Sequence, residues 1–263
     1  MITAVSEQKL PGGNAGGAVR LGATVRRPIG PWTPAVHALL RHLRSRGFAG
    51  SPQVYGIDAQ GREILSYLEG DAIGASRPWP AWVHSESALD QVADWLRSYH
   101  QTVADFVPPE GAIWREGGVW RPGLIIGHND AAPYNACWRG DRLQGFFDWD
   151  LAAPITREGD LAFTAFGWVP LHARNVVAAE GFTDFAARPR RLRRFLDRYG
   201  WSGNLFDFLA IVDSRIGSVA DTIRRLAAAG DPLYGAMLSA GSADGLEQAR
   251  RELPDVLAGA TTE

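Results

Sequence analysis

Ile126-Gly127-His128-Asn129-Asp130-Ala131-Ala132-Pro133-Tyr134-Asn135 is followed, one short hairpin later, by Gly145-Phe146-Phe147-Asp148-Trp149-Asp150. Leu124 to Ile126, Ala136 to Trp138 and Gly145 to Phe147 are brief apolar segments between polar turns, the pattern of short strands that present loops. The first loop carries a carboxylate, Asp130, and an amide, Asn135; the hairpin then brings a second carboxylate, Asp148, back beside them. Taken singly, each is an ordinary turn residue, because Asp and Asn side chains bond readily to nearby backbone. Gathered on strand-like flanks, they form a candidate site for chemistry that needs a base and ligands for a hard cation.

On the amino-terminal side, Ala18 to Leu21 and Thr24 to Arg27 flank Gly22 as a tight hairpin. Thr33 and Pro34 read as the cap and first turn of a helix whose Val36, Leu39, Leu40 and Leu43 share one face until Gly47. Val54 to Ile57 and Glu63 to Leu68 form a second hairpin before Glu69-Gly70-Asp71 turns the chain away. Beyond it helices dominate: Leu89, Val92, Ala93, Leu96, Tyr99 and Val103 mark one amphipathic face, and Leu209, Ile216, Val219, Ile223 and Leu226 another.

With 263 residues and 46% apolar content, the chain suffices for one large domain or two unequal lobes around a substantial core. A net charge of −2 supplies no global basic field, which argues against nucleic acid as partner and for a small molecule. One cysteine, Cys137, excludes an internal disulfide framework or a Cys-rich zinc site and agrees with a reducing cytoplasm. Met1 to Leu10 lack the basic-then-apolar order of a secretory signal. The most apolar stretch, Leu161 to Leu171, falls well short of the roughly 20 residues of a membrane span, so a cytoplasmic protein without a membrane partner is expected. Neither Gly-x-Ser-x-Gly nor His-Glu-x-x-His occurs, removing the usual esterase and zinc-hydrolase signals. The ten tryptophans are dispersed and read as core and pocket walls, and Arg188 to Arg194 reads as a solvated helix face.

His128, Asp130 and Asn135 have the spacing H-x-D-x-x-x-x-N of a kinase catalytic loop. Phosphoryl transfer requires a carboxylate near the acceptor hydroxyl, while an amide oxygen and a further carboxylate hold the cations that neutralise a polyphosphate. Here the chain resembles the aminoglycoside phosphotransferase and choline kinase superfamily over most of its length. Gly127-His128-Asn129-Asp130 is similar to that family's Gly-His-Gly-Asp, and Phe147-Asp148-Trp149-Asp150 to its apolar-Asp-Trp pattern. The resemblance implies an α+β, protein-kinase-like two-lobed fold, with a small antiparallel-sheet lobe at 1–70 and a mainly helical lobe at 71–263. It implies that Asp130 is the base, that Asn135 and Asp148 bind Mg2+, and that ATP or GTP is the donor to a small-molecule hydroxyl. His128 is a catalytic-loop residue that is either catalytic or a support for the loop. Asp160, in Gly159-Asp160-Leu161, resembles the family's aspartate that steadies this loop through backbone hydrogen bonds. Asp150 is a substrate-side carboxylate, a metal-side one or a solvated charge.

For the nucleotide, Gly13 and Asn14 in the run Gly12 to Gly17 allow backbone amides to approach phosphates, and Ser66 and Leu68 lie where the resemblance puts the connection that meets the base. The family's phosphate-contacting lysine is absent: Lys9 is the only lysine. Arg26 is the first substitute, with Arg20 and Arg27 as competitors. The helix that would carry an acidic partner contains His37, Arg41, His42, Arg44 and Arg46 and no acid. Those two departures motivate an alternative to the enzyme, a catalytically silent kinase-like protein that binds a ligand for immunity or regulation.

Overall fold

The computed structural model describes residues 6–10, 17–74 and 77–258. Its first part is an antiparallel sheet of β1 (Gln8–Lys9), β2 (Val19–Leu21), β3 (Thr24–Arg27), β4 (Val54–Ile57) and β5 (Glu63–Ser66), in the order β1-β2-β3-β5-β4. Gly22, at φ 62°, closes the β2–β3 hairpin with Leu21 opposite Thr24. Register then places Arg27 directly across from Glu63 on β5. Strand β5 ends at Ser66, two residues before the expected Leu68; the Tyr67 N–H still donates to the Ala23 carbonyl, one rung further along the β3–β5 pairing, before the chain leaves the sheet.

Between β3 and β4 runs α1 (Thr33–Ser45), which buries Val36, Leu39, Leu40 and Leu43 as its periodicity requires. Thr33 is its first residue rather than its cap. Trp32 holds the cap position, and the Thr33 hydroxyl accepts from the Gly30 N–H, tightening the approach to the helix.

Helix α2 (Glu86–Thr102), capped by the Ser85 side chain, opens the helical part. Four short strands follow: β6 (Ile125–Gly127), β7 (Ala136–Arg139), β8 (Arg142–Phe146) and β9 (Ala153–Ile155), paired as β6–β9 and β7–β8. Then come α3 (Arg157–Trp168), α4 (Arg174–Ala179), α5 (Arg188–Tyr199), α6 (Leu205–Ala228), α7 (Pro232–Ser239), α8 (Ser242–Glu252) and α9 (Asp255–Ala258). Helix α2 packs on α5, α3 on α6, and α6 on α7 and α8. The stretch Leu161 to Leu171 is thus the buried helix α3 and its exit, and among the described residues no helix is long and apolar enough to cross a membrane.

Tryptophans serve the core as expected: Trp138, Trp149 and Trp168 are buried, and the Trp168 indole donates to the Ala131 carbonyl beneath the loop at 2.9 Å. The arginine cluster divides. Arg194 and Arg198 pair with Asp90 and Asp94 on the exposed side of α2. Arg188 and Arg191 turn inward instead, donating to the carbonyls of His172, His84 and Trp168, because positions three apart share one helix face. Sheet and helices meet at Asp71, whose backbone pairs with Trp138. Gly70 must be glycine there, since a Cβ would stand 2.3 Å from the Trp138 carbonyl oxygen and its φ is 153°.

Candidate active site

Strand β6 delivers the loop and β9 holds it, with Gly127 opposite Ala153. Asp160, fully buried on the first turn of α3, accepts from the backbone N–H groups of His128 (3.2 Å) and Asn129 (2.8 Å) and from the His100 ring (2.9 Å). Burial alone would raise its carboxyl; the His100 and backbone hydrogen bonds outweigh that and hold it below the usual range. A side chain at Gly127 would collide with this carboxylate, 2.8 Å from its carbon, which is why the loop begins with glycine. Asn129 occupies the left-handed region at φ 62°, the position of the second glycine in the resembled motif. Asparagine tolerates that conformation and here adds bonds, donating to Leu151 O and Ala153 O and accepting from Arg215 on α6.

Beyond Asn129 the loop presents Asp130, whose two oxygens are gripped separately. Tyr134 Oη donates to Oδ1 at 2.7 Å, and Asn135 Nδ2 donates to Oδ2 at 2.8 Å. Burial pushes the Asp130 carboxyl up to about 7; the nearby Asp148 charge adds to this and the two hydrogen bonds oppose it. His128 supports the loop: its Nδ1 faces the Asp130 N–H at 3.3 Å, and burial drives its pKa down to about 4, keeping the ring neutral. The Phe147 N–H donates to the Asn135 carbonyl at 3.0 Å, setting the residue before Asp148 against Asn135. Asp148 itself has φ 59°, a left-handed backbone that is uncommon outside glycine, asparagine and aspartate and that clusters where side chains are aimed at a site.

Of the three candidate arginines, Arg27 is the one brought to these carboxylates. Its guanidinium bonds Glu63, Asp148 Oδ1 (3.0 Å) and Asp150. Arg26 points to the opposite face of β3, toward Thr24 and Asp58, and Arg20 lies over the Tyr67 ring. Glu63 is buried and bonded to His37 Nε2 at 2.7 Å. The acid missing from α1 is therefore supplied by β5, and α1 contributes a histidine that touches it. Sequence reasoning missed Glu63, His37 and Tyr134; the pairing of Arg27 with Glu63 was recoverable only from strand register. Asp150 is not free, being held by Arg27 and by Arg115 at 3.4 Å.

At the connection, the Ser66 N–H and hydroxyl are both engaged with Gln53, and the Leu68 carbonyl accepts from the Cys137 thiol. Gly13 and Asn14 lie outside the described residues.

No family model matches the chain. Among curated proteins, the trifolitoxin immunity protein of Rhizobium leguminosarum bv. trifolii is 35% identical over 198 residues, 73% of this chain and 74% of that protein. Among solved structures, an amicoumacin kinase bound to AMP-PNP, Ca2+ and its ligand superposes with a TM-score of 0.58 at 11% identity, over 95% of this chain and 88% of that one. A variant of aminoglycoside 2′-phosphotransferase-IIIa with GDP gives 0.57 at 13% identity, over 99% and 94%. A choline/ethanolamine kinase family protein from Mesorhizobium loti gives 0.56 at 13%, over 97% and 90%. The chain belongs to the family of the trifolitoxin immunity protein and has the protein-kinase-like fold of the aminoglycoside phosphotransferase and choline kinase superfamily.

Proposed function

We propose that the chain is a small-molecule kinase that transfers the γ-phosphate of Mg-ATP or Mg-GTP to a hydroxyl of an antibiotic or small metabolite, giving protection of the kind its relative's name describes. One observation carries this reading: a loop pinned by Asp160 presents the Asp130 carboxylate, and Asn135 and Asp148 stand beside it.

With Nδ2 committed to Asp130, Asn135 keeps its Oδ1 for a cation. Among the described residues no group of three His, Cys, Asp or Glu could hold a metal. Two protein oxygens fit Mg2+ that arrives with a polyphosphate, since this ion completes its shell with phosphate and water. Bound there, it would neutralise charge on the nucleotide. Asp130 would orient the acceptor hydroxyl and take its proton as the new O–P bond forms and the nucleoside diphosphate leaves; positioning and electrostatics supply most of the rate. Arg27 would turn from Asp148 to the phosphates, with its Nε still held by Glu63, itself bonded to His37. On this reading the nucleotide would lie between the 1–70 and 71–263 lobes, with Ser66 and Leu68 toward its base and Gly13 and Asn14, outside the described residues, proposed for its phosphates. Because Asp150 is already neutralised by two arginines, it offers no pull on a cationic acceptor.

The silent alternative draws on the same guanidinium: Arg27 already supplies a cation to Asp148 and Asp150. Calorimetric titration with ATP and GTP, with and without magnesium, separates the two. Magnesium-dependent binding that Asp148→Ala removes supports the kinase; no binding of either nucleotide at millimolar concentration favours the silent protein.

A further inference from the structure

Tyr134 grips the carboxylate proposed as the base, and that function leaves the contact unexplained. Tyr134 and Asn135 are consecutive residues of one short turn, Pro133–Asn135, and they hold the two oxygens of Asp130 separately. Asn135 holds Oδ2 and is the residue proposed for the cation, so Oδ2 faces the nucleotide side. Oδ1 is the oxygen left to receive an acceptor hydroxyl, and at 2.7 Å it already has one, the Tyr134 phenol. The turn carrying that phenol is fixed: the Asn135 N–H donates to the Ala132 carbonyl, and the Trp168 indole holds the Ala131 carbonyl. Yet the Tyr134 side chain remains 44% exposed, so its far edge is reached from solvent and the phenol has room to leave. An ionised carboxylate only accepts, so Oη donates the proton in this bond just as an alcohol substrate would.

Resting on the kinase reading, we propose that Tyr134 Oη is a stand-in for the acceptor hydroxyl: it occupies Asp130 until an acceptor displaces it, and so suppresses transfer of the phosphoryl group to water. A water molecule reaching Asp130 must break a hydrogen bond to a carboxylate without bringing the ring contacts and binding energy of an acceptor. An acceptor with its own hydroxyl and a surface to lay against the phenol brings both. Tyr134 is on this account a positioning and specificity residue, and it takes no phosphate itself.

The test is release of inorganic phosphate from Mg-ATP and Mg-GTP, without any acceptor, by wild type and Tyr134→Phe, with calorimetry of the nucleotide and thermal unfolding of both proteins alongside. Phenylalanine keeps the ring and removes only the hydroxyl. The expected result is phosphate release about tenfold faster in Tyr134→Phe, the equivalent of one charge-assisted hydrogen bond, with nucleotide affinity unchanged. Asp130→Asn should abolish release in both backgrounds. Nucleotide bound equally by both proteins, with release equal or slower in Tyr134→Phe, overturns the stand-in and leaves the kinase reading intact. Slower release accompanied by a lower melting temperature assigns Tyr134 a purely structural role and overturns it as well. Failure of the wild type to bind nucleotide overturns the kinase reading, and this inference with it; loss of binding in Tyr134→Phe alone overturns the stand-in.

Discussion

Glu63 offers a direct test of how the sheet is tied to the site. Its carboxylate is 2% exposed and spends one oxygen on Arg27 and the other on His37. Alanine at this position leaves a guanidinium and an imidazole short of a partner. Breaking a buried ion pair from one side costs about 3–5 kcal/mol, and because Arg27 keeps Asp148 and Asp150, the expected loss lies near the lower end, about 3 kcal/mol. Glutamine keeps the shape and one acceptor oxygen, and His37 adapts by exchanging tautomers. Glu63→Gln should therefore cost only the charge in one hydrogen bond, about 1–1.5 kcal/mol. Equilibrium urea unfolding read by tryptophan fluorescence measures both. Burial works to raise the Glu63 carboxyl, but the hydrogen bond from His37 and the charge of Arg27 outweigh it, so its pKa lies below 4.5 in the folded protein. A depressed carboxylate stabilises fully above its unfolded pKa and loses that contribution as pH falls through the folded value. The gap between wild type and Glu63→Gln should accordingly close below pH 4.5. A loss under about 1 kcal/mol for Glu63→Ala, the size of a surface substitution, would refute the linkage.

Two further outcomes follow from the loop and its surroundings. Asn129→Gly should cost about 1–2 kcal/mol for its lost side-chain bonds, and Asn129→Ala about 1–2 kcal/mol more because alanine resists positive φ; equal losses in chemical denaturation would contradict the left-handed backbone. Burial holds His128 and His172 at pKa values of about 4 from the ordinary 6.5. Between those values the unfolded chain binds protons that the folded chain refuses, so stability falls as pH drops from 6.5 toward 4. The urea midpoint should track this, and His172→Gln should flatten the slope.

What the sequence disclosed depended on how locally each feature was determined. Asp130 and Asn135 were legible because their chemistry requires fixed spacing along one loop, and Gly22 announced its hairpin because a tight turn needs positive φ. Arg27 was ranked behind Arg26 because adjacent residues of a strand face opposite sides, and only the pairing of β3 with β5 says which side meets the helical part. Glu63 lies far from Arg27 in sequence, so its partnership exists only through that pairing. Strand β9 went unseen since Pro154 weakens its signal, and as one member of a two-stranded ladder it tolerates the missing donor. The inward turn of Arg188 and Arg191 was hidden by composition: an arginine-rich segment reads as solvated until the carbonyls at the ends of neighbouring segments are seen to need donors. Tyr134 was given no role because nothing in spacing reports where a phenol points.

The choice of arginine over lysine at the site reaches into its reactivity. Lys9, the single lysine, sits exposed on β1 at the far edge of the sheet from β4. Amine-directed acylating reagents, including nucleotides armed to label a phosphate-side lysine, have no nucleophile to find beside Asp148. The Arg27 guanidinium stays protonated at every pH the fold survives, and its carboxylate partners raise its pKa further. The same chemistry that makes the site silent to such probes leaves Lys9 as the one lysine of the sequence, so a fluorophore or surface linker attached there stays off the proposed catalytic groups.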